Sequence, residues 1–395
     1  MDGAGALDAV SDHANTSDST MPRDVIGDAS IDSAPDALTD APPESSLQCS
    51  SPQADCDLNS SNGCETDLTT SARNCGACGR SCGAVGCSAG ECLPEPLLTG
   101  AVNVSKLAID GSYLYYLTGV GSIVAGNIGR MALDGGAPMP VATNLPGAHG
   151  GFVVRDGFVY FDDNPAGQSS IERVGIDGSG RQVLVAWNGS GGLAVDDTSV
   201  YANDPCYSGD PICPTTASHI LARLPRSGGM GTALTPIPQN VSAISTDGTY
   251  VYWGVTPSDP SQSTILRVRT SGTTPETFAM NQLAPYAITF GPDGFVYWTN
   301  YGAAGFPGSV MRARDGSMPE VVATATGSAQ SIAINSAYVY WSEYTNAPAG
   351  GAVRRVRIGA HDIETIYSGA QVFGLAVSAT HVYYALRDAI YRRPH

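Results

Sequence analysis

The chain has 395 residues and a formal net charge of −17, because 37 acidic side chains outnumber 20 Lys and Arg side chains. Without a basic stripe, this balance disfavours both a nucleic-acid partner and an anionic membrane surface. No apolar run reaches the roughly 18 residues of a membrane-spanning helix, so the sequence predicts no transmembrane segment.

Residues 1–48 differ in composition from the rest of the chain. They are mostly Asp, Ser, Ala, Thr and Pro, with ten acidic residues against the single Arg23. Such a segment cannot offset its ordering entropy, so we predict a disordered acidic tail or linker. The start at Met1 and Asp2 lacks the basic and apolar stretches of a signal peptide. Because the cysteines below indicate export, we expect a signal peptide or lipobox upstream of Met1.

Residues 49–93 form a cysteine-rich segment. An even number of cysteines at high density, in a segment too short for an apolar core, predicts a disulfide module whose pairing stays open. Zinc is the alternative because Cys75 and Cys78 form a CxxC pair, although no His lies in the segment. Disulfides favour an extracellular, cell-surface (lipoprotein) or periplasmic location. The cysteines of the predicted module are Cys49, Cys56, Cys64, Cys75, Cys78, Cys82, Cys87 and Cys92.

Two strings in this segment carry a resemblance. NGCETDL at 62–68 and NCGACGRSC at 74–82 resemble cysteine modules of secreted or surface proteins of large-genome Gram-negative soil bacteria. The NCGxCGxxC part is also similar to the stigma-specific protein family of plants. The resemblance covers about 40 residues and implies a location outside the cytoplasm, not an activity.

Residues 94–395 repeat a unit of roughly 43 residues. In each copy an apolar stretch and a turn, commonly Asp-Gly, precede a strand that carries a tyrosine. A third strand with an arginine and a fourth strand follow. The tyrosines are Tyr115, Tyr160, Tyr201, Tyr252, Tyr297, Tyr340 and Tyr383, and the arginines are Arg130, Arg173, Arg223, Arg267, Arg312, Arg355 and Arg392.

Four-stranded units of this kind bury both faces by packing around an axis, so we predict an all-β, seven-bladed β-propeller. The last copy has room for three strands only. The segment Pro96–Gly100 resembles the fourth strands and is predicted to complete that blade, which joins the two ends of the ring. A six-bladed ring is the alternative.

The second and fifth copies carry a further resemblance. Val159–Asp162 with Ile171–Ser179, and Tyr297–Asn300, resemble the YWTD repeat of low-density-lipoprotein-receptor propellers. The other copies keep only the tyrosine, and that family has six blades. The resemblance therefore implies the blade design and no ligand chemistry.

Repeated side chains are interpreted as structural. Trp253, Trp298, Trp341 and Tyr384 share one strand position and are predicted to pack between blades. The repeated arginines are predicted to pair with turn acids or backbone carbonyls.

Recognition is predicted at the long loops between the second and third strands, which differ in every copy. A disulfide between Cys206 and Cys213 is expected to stiffen the longest loop. The run Asp162, Asp163 and Asn164 offers oxygen ligands for calcium as an alternative, although such acids more often belong to solvated turns. The candidate binding residues are His149, Asp162, Asp163, Tyr207, Tyr301, Phe306 and Tyr344.

These features favour a secreted or surface-anchored, monomeric binding propeller whose ligand is an unidentified protein or carbohydrate. No catalytic motif, cofactor site or metal site is predicted. Two alternatives stay open. One is a lactonase or lyase with its site around His149 at the channel mouth. The other is a structural or display protein without a small ligand.

Overall fold

The computed structural model describes residues 48–101, 103–119, 125–146, 151–163, 169–187, 192–206, 212–214, 216–238, 241–303, 305–347 and 349–395. The predicted acidic tail, apart from Gln48, lies outside these ranges. Regular structure within them is β-strand, with one 3-10 turn at Pro260–Gln262. No helix in these ranges is long and apolar enough to cross a bilayer.

Seven antiparallel sheets of four strands follow one another, and we name them blades I to VII with strands a to d. The bounds of strands a to d are Lys106–Asp110, Tyr113–Thr118, Gly126–Ala132 and Met139–Leu145 in blade I; Phe152–Arg155, Phe158–Asp163, Ser169–Gly175 and Gln182–Trp187 in II; Leu193–Val195, Ser199–Pro205, His219–Pro225 and Thr232–Pro236 in III; Val241–Thr246, Tyr250–Val255, Ser263–Arg269 and Glu276–Gln282 in IV; Pro285–Phe290, Val296–Asn300, Ser309–Ala313 and Glu320–Thr324 in V; Ser328–Ile334, Tyr338–Tyr344, Gly351–Arg357 and Ile363–Gly369 in VI; Gly374–Val377, His381–Ala385, Ala389–Pro394 and Glu95–Thr99 in VII. The prediction of seven blades is confirmed, and the six-bladed alternative is wrong.

The turns between strands a and b explain the repeated Asp-Gly pair. At Asp156 and Gly157 both backbone φ angles are positive, 49° and 79°, as a tight hairpin turn requires. In blade V, Asp293 accepts a hydrogen bond of 2.7 Å from the hydroxyl of Tyr297. Desolvation by burial raises the pKa of Tyr297 to about 12, so that hydroxyl stays protonated. This hydrogen bond therefore holds the Asp293 carboxylate and the Tyr297 side chain in position relative to each other.

Packing between blades forms the core. Seven clusters of buried side chains each join two neighbouring blades, and the seventh joins blade VII to blade I. The repeated tyrosines are 0–2% exposed. Trp253, Trp298, Trp341 and Tyr384 are at most 1% exposed, which confirms their prediction as packing residues.

Four of the repeated arginines link their blade to the next. Arg173 donates to the carbonyl of Arg226 in blade III (2.7 Å), and Arg223 donates to that of Thr270 in blade IV (2.8 Å). Arg267 binds Asp315 in the c–d turn of blade V (2.6 Å). Pairing with turn acids and carbonyls was predicted, and it is confirmed for these three arginines and for Arg392.

The ring closes as predicted, through the segment that precedes the first blade. The closing strand, Glu95–Thr99, pairs with Ala389–Pro394, with Leu98 opposite Ile390. Leu97 and Leu98 pack against the cluster that joins blades VII and I. Arg392 binds Glu95 (2.7 Å) and the carbonyl of Leu133 in blade I (2.7 Å).

Four disulfides hold the cysteine-rich segment together: Cys49–Cys64, Cys56–Cys78, Cys75–Cys87 and Cys82–Cys92. Two short hairpins lie within it, Gln53–Ala54 with Thr66–Asp67 and Cys87–Ser88 with Glu91–Cys92. Disulfides were predicted and are confirmed. The zinc alternative is wrong, because every one of these thiols is bonded to another. Cys49–His395 form one compact unit, in which Glu91 forms an ion pair with Arg393 of blade VII.

Candidate functional site

The order of the strands divides the ring into two faces. Because neighbouring strands are antiparallel, the b–c loops and the d–a returns share one face, the loop face. The a–b and c–d turns share the other, the turn face. The closing strand starts at Glu95 opposite Arg392, at its turn-face end. Since Cys92 lies three residues before Glu95, the cysteine module joins the ring at the turn face.

A cleft of about 570 Å³ opens on the loop face between blades V and VI. The first wall is the b–c loop of blade V. The second wall consists of the d–a return that precedes blade VI and of the residues at and just after the end of strand b of blade VI. Three of the predicted binding residues, Tyr301, Phe306 and Tyr344, line it together. Its lining residues are Tyr301, Gly302, Ala303, Gly305, Phe306, Pro307, Thr326, Gly327, Ser328, Tyr344, Thr345 and Asn346.

Backbone hydrogen bonds hold the first wall. The amide of Tyr301 donates to the carbonyl of Ala284 (2.8 Å), and the amide of Gly302 donates to that of Leu283 (3.0 Å). Ala303 and Phe306 bond to each other across the loop tip. The loop is therefore held to the d–a return that precedes strand a of blade V.

Close backbone contacts join the two walls. The amide of Gly308 donates to the carbonyl of Gly327 at 2.8 Å. A Cβ atom at Gly327 would overlap the carbonyl of Tyr344, and one at Gly308 would overlap the amide of Ala329. Glycine is thus required at both positions. A cleft whose walls are already hydrogen-bonded to each other loses little conformational freedom when a ligand binds.

A buried carboxylate supports the second wall. Glu343 is 2% exposed and accepts hydrogen bonds from the amide and the hydroxyl of Thr326, at 3.0 and 2.6 Å. It also accepts one from the indole of Trp341 (2.7 Å), and Arg354 Nε lies 3.0 Å away. Thr326 lines the cleft, so Glu343 positions that wall without lining it.

Three exposed aromatic side chains lie in the cleft or beside it. Phe306 is 63% exposed and Tyr301 is 37% exposed. Tyr286, at the loop-face end of strand a of blade V, is 49% exposed, and its ring centroid lies 5.7 Å from that of Tyr301. Sequence reasoning missed Tyr286. Strands a and b shift register between Pro285 and Ala287, a bulge that the sequence pattern does not reveal.

The other predicted residues lie elsewhere. Asp162 and Asp163 in blade II are 4% and 1% exposed, and Arg181 binds Asp163 (3.2 Å) and Glu172 (2.6 Å). The structure does not bring them to the cleft. His149, Tyr207 and Asn164 lie outside the described residues. The predicted Cys206–Cys213 disulfide is present.

Two further groups of ionisable side chains lie outside the cleft. Lys106, the chain's single lysine, has its ammonium 6.0 Å from the Phe152 ring centroid, and burial lowers the pKa of Lys106. The carboxylates of Asp55, Asp57 and Glu65 in the cysteine module lie within 4.8 Å of one another. They accept hydrogen bonds from their own loop, and the Asn62 amide is the main cause of the lowered pKa of Asp57. We assign neither group a reaction.

No family model and no curated protein matches this chain. Solved structures match across the ring. An oligogalacturonate lyase solved in complex with manganese is 12% identical, with 76% of this chain and 96% of that chain covered and a TM-score of 0.56. The GH74 enzyme of Niastella koreensis is 13% identical, with 76% and 53% covered and a TM-score of 0.59. A chain of a nidogen/laminin complex is 15% identical, with 64% and 95% covered and a TM-score of 0.46.

The chain is a seven-bladed β-propeller. At these identities the two likenesses with TM-scores of 0.56 and 0.59 support the fold and nothing finer.

Proposed function

We propose that this chain is an extracytoplasmic binding module that takes its ligand in the cleft between blades V and VI. The observation that carries the proposal is the exposure of Tyr301 and Phe306 beside a cleft whose walls are already joined. Exposed aromatic side chains in a preformed concave site supply most of the binding energy in many interfaces.

Two features support the location and the orientation. Five disulfides are typical of proteins that fold in oxidising compartments. The cysteine module joins the ring at the turn face, so a cell-surface anchor ahead of the module would leave the loop face directed away from the cell. We therefore propose an extracellular, surface-attached or periplasmic protein that acts as a monomer.

Binding fits the cleft better than catalysis. The described residues that line it carry no carboxylate, imidazole, thiol or amine. A serine or threonine hydroxyl needs an adjacent general base to act as a nucleophile, and such groups are the usual bases. Binding is thus preferred to catalysis in this cleft, whereas the lactonase or lyase alternative places its site around His149, which lies outside the described residues.

Retention of the full chain on cell-surface and extracellular material from the source organism tests the proposal. We expect Tyr301→Ala and Phe306→Ala each to weaken retention roughly tenfold, because truncation of an aromatic anchor costs about 1–2 kcal/mol or more. Phe373→Ala is the matched control. Phe373 is 37% exposed, just before strand a of blade VII, and does not line the cleft.

If the wild type and both cleft variants are retained equally, the cleft is not the binding site. Failure of the wild type itself to be retained would instead favour a display protein.

A further inference from the structure

The cleft carries no net charge. Its described lining contains no Asp, Glu, His, Lys or Arg. Glu343 and Arg354 form an ion pair behind the wall, with side chains 2% and 24% exposed. A ligand with phosphate, carboxylate or ammonium groups would lose hydration here without gaining a counter-charge. The chain's charge of −17 further disfavours anions.

The polar groups of the lining are hydroxyls and an amide. Thr326, Ser328 and Thr345 supply aliphatic hydroxyls, and Asn346 supplies a carboxamide. Tyr301 and Tyr344 add phenol groups. Hydroxyl and carboxamide groups both donate and accept hydrogen bonds, as the alcohol groups of a sugar do. The Thr326 hydroxyl already donates to Glu343, but an apolar ligand would leave Ser328, Thr345 and Asn346 without a polar partner from the ligand, which costs binding free energy.

The aromatic rings supply the complementary apolar surface. A pyranose ring has hydroxyls at its edge and C–H groups on its faces, so it matches a flat ring bordered by hydroxyls. The rings continue beyond the cleft, since Tyr286 lies beside Tyr301 at 5.7 Å between centroids. Phe306 extends the same surface at the tip of the b–c loop. The surface is therefore large enough for more than one sugar ring.

We infer that the ligand is an uncharged oligosaccharide or polysaccharide chain whose sugar rings pack on Tyr286, Tyr301 and Phe306. The inference rests on the proposed function, because it names the class of ligand for the same cleft. Hydroxyls of the sugar bond to the Ser328, Thr345 and Asn346 side of the cleft. A proline-rich peptide also packs on aromatic grooves, and the experiment below separates it from a glycan.

The full chain is applied to extracellular material from the source organism after treatment with periodate or with protease. Periodate cleaves the vicinal diols of sugars and protease removes proteins. We expect periodate to reduce retention at least tenfold and protease to leave it within twofold. Titration calorimetry then uses maltohexaose, cellohexaose, xylohexaose and mannohexaose as probes, with hexagalacturonate and decaproline as controls. We expect an uncharged hexaose to bind, and Tyr301→Ala and Tyr286→Ala to weaken it at least tenfold while Phe373→Ala does not.

Loss of retention after protease but not after periodate would overturn the inference, as would tighter binding of hexagalacturonate or decaproline than of every uncharged hexaose. If retention then still depends on Tyr301, the proposed cleft stands and only the ligand class is wrong. If retention is independent of Tyr301, the proposed function fails as well. Circular dichroism of each variant confirms that the ring is folded.

Discussion

Replacing Leu97 and Leu98 together with aspartate is expected to open the ring at blade VII. Both side chains pack against the cluster that joins blades VII and I, and Leu98 lies opposite Ile390. Burial of a leucine side chain stabilises a protein by about 1.5–3 kcal/mol. Because both leucines are half-buried and a carboxylate there would lose hydration, we expect the free energy of unfolding to fall by about 3 kcal/mol.

Two measurements check this prediction. Thermal unfolding should shift to lower temperature, and the backbone amides of residues 389–393 should exchange faster with solvent because their partner strand is lost. The matched control introduces the same two charges elsewhere in outer strands, as Val183→Asp with Val321→Asp. Those valines are 56% and 55% exposed, so a small effect is expected. Equal destabilisation of the two double variants would show that the closing strand does not hold the ring.

Glu343→Ala is expected to destabilise the fold and the cleft together. The substitution leaves Arg354 without its acid and leaves the indole of Trp341 and the amide of Thr326 without an acceptor. Removing one partner of a buried ion pair costs about 3–5 kcal/mol, and partial exposure of Arg354 favours the lower end of that range. Chemical denaturation of the full chain measures the free energy of unfolding.

Glu364→Ala is the control for this prediction. Glu364 binds Arg355 at 2.6 Å, and because the Glu364 side chain is 52% and the Arg355 side chain 8% exposed, a loss of about 1–2 kcal/mol, smaller than that of Glu343→Ala, is expected. Ligand retention should fall with Glu343→Ala and stay unchanged with Glu364→Ala. A Glu343→Ala protein with unchanged stability and unchanged retention would show that the carboxylate does not hold the Thr326 wall.

The ring could be predicted from the sequence because its determinants repeat. The tyrosine of strand b is buried in every blade, and in three blades it bonds to a turn acid of the same blade, as Tyr297 bonds to Asp293, so the copies share a recognisable signal. The closing strand was predictable for a related reason. The last copy lacks a fourth strand, and Leu97 and Leu98 stand where an extra strand is needed.

The cleft was only partly predictable from the sequence, because the residues that form it do not recur from copy to copy. Tyr301, Phe306 and Tyr344 were found as aromatic residues in variable loops. Their meeting in one cleft depends on contacts between Gly308 and Gly327, which lie in different blades.

Other features depended on context that the sequence does not carry. A bulge in strand a exposes Tyr286. Asp162 and Asp163 were predicted at the binding face, but they lie buried in strand b of blade II, where Arg181 binds Asp163.

Photo-crosslinking tests whether the ligand binds at the loop face and not at the turn face. A benzophenone amino acid replaces Phe306 in the cleft or Met318, which is 87% exposed in the c–d turn of the same blade. After irradiation on extracellular material from the source organism, we predict a covalent adduct from position 306 and none from position 318. An adduct from position 318 alone, or equal adducts from both positions, would show that the ligand does not bind specifically at the loop face.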